Sequence, residues 1–123
     1  MKKHLLAFFL VFGSLAFLPM HQACAQSQNE LTQQSARDFE KADAELNAVY
    51  KKLMAMMMDE EAKKKLIKAQ KAWIAFRDAQ AEFAADDMRG GSGAAMLLYG
   101  SKAAITNERV KQLKKELAER KER

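Results

Sequence analysis

The side chains that could carry chemistry in this sequence are polar groups at helical spacing. Asp43, Asn47 and Tyr50 stand at positions i, i+4 and i+7, which share one edge of a helix. Gln70 and Arg77 are again seven residues apart. The complete set of polar and aromatic candidates is Asp43, Asn47, Tyr50, Gln70, Trp73, Arg77, Asp78, Thr106 and Arg109.

This set has three chemical interpretations. Polar side chains beside an apolar stripe usually bond across helices, because a buried polar group without a partner is costly, so the set would be a network that fixes helix register. In the second interpretation, some of these groups line a cleft and bind a partner. In the third, Asp43 and Asp78 converge as an acid/base pair, which requires an open pocket and a raised carboxyl pKa.

The N-terminal residues 1–25 have the pattern of a signal peptide. Lys2-Lys3 supplies a positive start, Leu5 to Leu18 forms an apolar stretch, and Ala23-Cys24-Ala25 is a small-residue cleavage site. The sequence therefore predicts a periplasmic or secreted protein with a single mature domain at 26–123.

Membrane attachment is not expected after cleavage. The apolar stretch of 14 residues is shorter than the roughly 20 that a membrane-spanning helix needs. Lipid attachment at Cys24 is disfavoured because His21 stands where a lipobox favours leucine.

Cleavage would also change the chemistry available to the chain. Removing 25 of the 123 residues leaves 98, and removing two of the 21 basic residues leaves 19 against 16 acidic ones, a formal charge of +3. The predicted mature chain contains no His, Cys or Pro. This excludes Ser-His-Asp and Cys-His catalysis, disulfides and zinc sites built from nitrogen and sulfur ligands. We expect a protein that is not an enzyme and needs no cofactor or metal.

Apolar residues recur every three or four positions over most of the mature chain, which is typical of one face of a helix rather than of a strand. Three such stripes follow one another along the sequence. They are Phe39, Ala42, Leu46, Val49, Leu53 and Met56; Leu66, Ala69, Trp73, Phe76 and Phe83; and Met96, Tyr99, Ala103, Thr106, Val110, Leu113 and Leu117.

The helix start and stop signals between the stripes predict an all-α, antiparallel bundle of three long helical segments. The acidic residues 59–61 favour a helix start there, and the glycines of 89–93 end that helix. Because 26–34 is polar, the first helix is expected to begin only near Leu31. Gly100 predicts a short break in the third segment.

Four methionines fall within five positions, Met54 to Met58. Four side chains so close in sequence cannot all face one core. They either fill the core and a helix connection or form an apolar contact patch, since methionine packs adaptably on binding surfaces.

Lysines and arginines are concentrated at 63–71 and in the C-terminal tail, 111–123. Glutamates alternate with them in the tail at helical spacing, which is typical of a solvated helix face. No nucleic-acid partner is expected.

Four ordered blocks of residues resemble the lysozyme inhibitor LprI-type N-terminal domain family of small secreted bacterial proteins, over nearly the whole mature chain. The blocks are Ala42-Asp43-x-x-Leu46-Asn47-x-x-Tyr50; Ala69-Gln70-x-x-Trp73-Ile74-x-Phe76-Arg77-Asp78-Ala79; Gly90-Gly91-Ser92; and Thr106-x-x-Arg109-x-x-x-Leu113. The resemblance implies an all-helical envelope domain that inhibits lysozyme. The family's usual cysteines would correspond to Ser35, Ala81 and Ser101, so this chain lacks them.

Two functions follow as hypotheses. In the first, the protein inhibits a lysozyme-like muramidase, and its loop residues Arg89, Gly90, Gly91 and Ser92 enter the partner's cleft. In the second, it is a structural or stress-related envelope protein whose helix faces bind another protein or a second copy, with Met54 to Met58 as the expected contact.

Overall fold

The computed structural model describes residues 20–123, with side chains described from residue 27 onward. They form three helices, α1 (Met20–Met56), α2 (Glu60–Ala85) and α3 (Ala94–Lys121). A short 3-10 helix, Asp86–Met88, follows α2, and the described residues contain no strand. The predicted all-α bundle of three helical segments is confirmed.

Helix α1 is longer than the sequence pattern suggested. The prediction that it begins near Leu31 is wrong, because the described helix already starts at Met20. Residues 26–34 are polar, but they include several glutamines and a glutamate and no glycine or proline, so nothing there ends a helix. Of the predicted signal peptide, 1–25, residues 1–19 lie outside the described residues.

The start of α2 follows the acidic signal. Asp59 is the N-cap, and its carboxylate accepts a hydrogen bond from the backbone N–H of Glu61 at 3.0 Å. This start is confirmed. The helix ends at Ala85, before the glycines, and the connection to α3 contains Gly90 with φ of 77°, a left-handed conformation that favours glycine.

Helix α3 passes through Gly100 without interruption, so the predicted break near Gly100 is wrong. A glycine inside a helix costs only about 1 kcal/mol relative to alanine, which the packing of the flanking turns offsets. A Cβ at this position would stand 4.0 Å from the Ser35 hydroxyl, so the helices approach closely here.

Helix α3 packs along both other helices, most extensively along α1. Residues further along α1 contact residues further along α3, so these two helices run in the same direction. Residues further along α2 contact residues earlier in α3, so α2 runs in the opposite direction to α3. The contacts that define these directions are Gln28 with Met96, Glu45 with Lys114, Asp78 with Lys102 and Gln70 with Arg109.

The apolar stripes of α1 and α3 form the core, as predicted, except that Met57 replaces Met56 at the end of α1. Met57 is 6% exposed, whereas Met56 is 38% exposed and Met58, in the turn before α2, is 90% exposed. The methionine cluster therefore serves partly as core and partly as connection. The central core cluster is Leu46, Val49, Leu53, Met57, Val110, Leu113 and Leu117.

Helix α2 turns a different face to the bundle than its aromatic stripe indicated. Phe76 and Phe83 are 56% and 74% exposed, so the expectation that they are core residues is wrong. Gln70, Arg77 and Ala81 are buried instead. Within the described residues, no helix is long and apolar enough to cross a membrane.

Candidate functional site

A buried arginine and the carboxylate beside it join the three helices. Arg77 of α2 is 7% exposed. Its Nη1 donates to Asp43 Oδ1 of α1 at 3.1 Å, and its Nε donates to the adjacent Asp78 Oδ1 at 2.9 Å. Lys102 Nζ of α3 lies 3.3 Å from the same Asp78 oxygen. We call Asp43, Arg77, Asp78 and Lys102 the polar cluster.

Aromatic rings complete the surroundings of this cluster. The Arg77 guanidinium carbon lies 5.1 Å from the centre of the Phe39 ring and 5.3 Å from that of Trp73. Lys102 Nζ lies 5.6 Å from the Phe39 ring centre. Because ring faces attract cations, the rings stabilise a charge that burial would otherwise penalise.

A second polar group continues along the same helix faces. Arg109 Nε donates to Gln70 Oε1 at 3.1 Å, and the Arg109 guanidinium carbon lies 5.9 Å from the Trp73 ring centre. Burial lowers the pKa of Arg109. On α1, Asn47 donates to Asp43 at 3.3 Å, and Tyr50 packs half-buried against the core.

The structure thus brings eight of the nine sequence candidates into one contiguous band, and Thr106 is the exception. Thr106 is fully buried on the core face of α3, and its hydroxyl has no hydrogen-bond partner. It contributes its methyl group to packing rather than a bond to the network.

Replacing Thr106 with valine is expected to raise the stability of the protein by about 1 kcal/mol, because it removes an unsatisfied buried hydroxyl while keeping the shape. Thr106→Ser is the matched control: it keeps the hydroxyl, loses the methyl, and should lower stability. Urea unfolding of both variants measures this. A valine variant less stable than the original chain would contradict the expectation.

Two residues of the band escaped the sequence interpretation, Phe39 and Lys102. Lys102, Thr106 and Arg109 stand at i, i+4 and i+7 on α3, so the spacing contained a signal for Lys102. Phe39 lies four residues before Asp43, on the same helix face. Because it belongs to the apolar stripe, the sequence pattern indicated only a core residue and not its contact with Arg77 and Lys102.

The electrostatics of Asp78 favour its charged form. Burial raises the pKa of Asp78, but the hydrogen bonds and charges of Arg77 and Lys102 outweigh it and hold the pKa below its ordinary value of 3.8. An acid catalyst needs the opposite shift, so Asp78 is not suited to donate a proton at neutral pH. No cluster of possible metal ligands occurs in the part of the chain that the structure describes.

The lowered pKa of Asp78 predicts an acid-sensitive contribution to stability. A carboxyl whose pKa is lower in the folded state stabilises the fold above its unfolded pKa, and this contribution is lost as pH falls through the folded value. We expect the melting temperature of the original chain to drop between pH 5 and pH 3. The melting temperature of Asp78→Asn should drop by less over the same range.

The control for this measurement is Glu45. Its hydrogen bond and charge interaction with Lys114 lower the pKa of Glu45 too, so Glu45→Gln should remove a separate part of the acid response. If Asp78→Asn lost as much melting temperature on acidification as the original chain, the charge interaction would not contribute.

The connection between α2 and α3 carries the candidate partner-binding residues, all of them exposed. The Arg89 side chain is 78% exposed and bonds to the Asp86 carboxylate, its Nε donating to Oδ1 at 2.6 Å. This pair raises the pKa of Arg89. The backbone N–H of Gly91 donates to the Met88 carbonyl at 2.9 Å, and Ser92 lies at the surface. The loop is a closed turn that exposes the ion pair of Arg89 with Asp86.

Fold and site together define a small, all-helical domain with a band of bonded polar side chains between its helices and an exposed loop whose arginine is ion-paired. The chain matches the family model for lysozyme inhibitor LprI over residues 20–113 and belongs to that family.

It is also 41% identical over 102 residues to an uncharacterized protein of Rhizobium meliloti, covering 73% of each chain. No solved structure matches it significantly.

Proposed function

We propose that this protein is an exported binding protein that inhibits a lysozyme-like muramidase. The observation that supports it is the family match, which extends over residues 20–113 and includes every residue of the polar band. The signal-peptide pattern of residues 1–25 supports a periplasmic or secreted location. The salt-bridged carboxylates of the polar cluster favour binding over catalysis.

The exposed loop of Arg89, Gly90, Gly91 and Ser92 is the surface we propose for the muramidase. Retaining glycosidases hold two catalytic carboxyl groups about 5 Å apart, and an arginine fork is suited to bond carboxylates. Arg89 already bonds to Asp86, but water screens an exposed ion pair, so exchanging its partner costs little.

The test is clearance of a peptidoglycan suspension by several muramidases in the presence of the purified exported protein. We expect stoichiometric inhibition of at least one muramidase. Undiminished clearance by every muramidase at a large molar excess of the protein would contradict the proposal.

Arg89→Ala tests the proposed surface separately. We expect this variant to inhibit at least tenfold more weakly with an unchanged melting temperature, because the lost contact is to the partner and not to the bundle. Arg37→Ala is the matched control, since Arg37 is exposed on α1 and bonds only to nearby Gln34. Equal inhibition by both variants would remove the loop from the proposal.

An alternative function is a structural or stress-related envelope protein that acts through helix-face contacts. The observation that favours it is the exposure of Phe76 and Phe83 on α2. Of the predicted methionine contact, only Met58 is strongly exposed, which makes α2 the larger apolar surface. This function predicts no inhibition of any muramidase together with concentration-dependent association.

A further inference from the structure

The outward side of α2 carries a continuous apolar stripe that the bundle leaves uncovered. Its five residues are spaced 3-4-3-4, the repeat of helix-pairing seams, and every one of them is exposed. We call them the outer stripe: Ala69, Ala72, Phe76, Ala79 and Phe83.

The bundle has no use for this stripe, because α2 turns Gln70, Arg77 and Ala81 inward. With Phe76 at 56% and Phe83 at 74% exposure, the two rings leave roughly 260 Å² in water, taking about 200 Å² for a whole phenylalanine. A stable pair of proteins buries about 800 Å² on each partner. The rings thus supply about a third of such an interface, and the remainder must come from the length of the helix.

The alternation of large and small residues fits a second copy of the same helix in the antiparallel direction. With a two-fold axis between Arg77 and Asp78, Phe76 of one copy lies opposite Ala79 of the other. Phe83 then lies opposite Ala72. Each ring meets an alanine, which allows the two helices to approach closely.

The charges of α2 select the same arrangement. Residues 60–71 of α2 contain five lysines and two glutamates, whereas residues 72–85 contain one arginine and two acidic residues, and Asp86 and Asp87 follow the end of the helix. An antiparallel pair places the basic part of each helix beside the acidic part of the other, and a parallel pair places like charges together. A partner surface of one sign would be attracted by one part and repelled by the other.

We propose that two copies of this chain associate through their outer stripes in an antiparallel, two-fold symmetric pair. The association uses a face that the muramidase proposal does not, so each stands or falls by its own measurement. Because the apolar area is modest, the dissociation constant lies in the micromolar range.

Sedimentation equilibrium of the purified exported protein, from low micromolar to submillimolar concentration, tests this pair. We expect a reversible monomer–dimer equilibrium, weakened at least tenfold by Phe76→Ser combined with Phe83→Ser. Both positions are exposed, so the variant folds. Met58→Ser, which removes another exposed apolar side chain, should leave the equilibrium unchanged.

Charge reversal tests the antiparallel direction. Lys68→Glu and Asp87→Lys should each weaken the pair, and the two combined should restore it, because exposed positions 68 and 87 lie opposite each other when the axis passes between Arg77 and Asp78. A monomer at every concentration would overturn the proposal, as would a dimer unaffected by the phenylalanine variant. A monomeric protein whose phenylalanine variant loses muramidase inhibition would also overturn it and would assign the outer stripe to the muramidase.

Discussion

Replacing Arg77 with alanine is expected to lower the free energy of unfolding by about 3 kcal/mol, the largest effect of any polar substitution in this protein. The change removes two ion pairs at once, to Asp43 and Asp78, and leaves Lys102 as the remaining cation beside them. It also removes a side chain packed against Phe39 and Trp73, so a cavity adds to the electrostatic loss.

Urea unfolding followed by circular dichroism measures this effect, and Arg89→Ala is the matched control. Arg89 makes one exposed ion pair within its own turn, so its removal should leave the free energy of unfolding almost unchanged. Arg77→Lys should fall between the two, because lysine keeps the charge but cannot bond both carboxylates with a planar fork. A loss below about 1 kcal/mol for Arg77→Ala would show that the polar cluster is not what holds α2 in register.

Replacing Leu53 with alanine is expected to cost about 3 to 4 kcal/mol. Leu53 is 1% exposed and lies in the centre of the core, where α1 and α3 meet beneath the start of α2. Truncation removes buried methyl groups and leaves a cavity that three helices cannot close by small shifts.

Leu31→Ala provides the same chemical change on the same helix at a 51% exposed position. We expect it to cost less than about 0.5 kcal/mol. The difference in unfolding free energy between the two variants, measured by thermal and urea unfolding, gives the effect of burial, because the change in helix propensity is the same in both. Equal losses would mean that the core described here does not carry the stability of the fold.

Effects of this size would offset the absence of the cysteines that the family resemblance implies. Ala81, one of the positions concerned, is fully buried and contributes to packing instead. A disulfide typically contributes about 2 to 4 kcal/mol, which is similar to what we expect from Arg77 alone. The polar band is bonded within the bundle, whereas Arg89 in the loop and Phe76 and Phe83 of the outer stripe are exposed.

Much of the fold could be predicted from local pattern. The apolar spacing of α1 and α3 identified their buried faces, and Asp59 identified the start of α2, because helical period and N-capping depend on nearby residues only. The polar candidates were also found in sequence, because helical spacing placed Asp43 with Asn47 and Gln70 with Arg77.

The predictions that were wrong depended on contacts between helices. Gly100 looked like a break, but a packed neighbour outweighs a local cost of about 1 kcal/mol. The aromatic stripe of α2 was predicted to be its buried face. Periodicity shows which residues share a helix face, but it does not show which of two faces packs against the bundle.

The sequence by itself determined three helices, the start of the second and the residues available for bonding, since these follow from the repeat of apolar residues and from capping. Only the tertiary structure decided that α2 turns Arg77 inward and Phe76 and Phe83 outward. The physical reason is that Arg77 bonds to Asp43 of α1, while the adjacent Asp78 pairs with Lys102 of α3 and the rings of Phe39 and Trp73 face the guanidinium. Partners on other helices cannot be inferred from spacing along the chain.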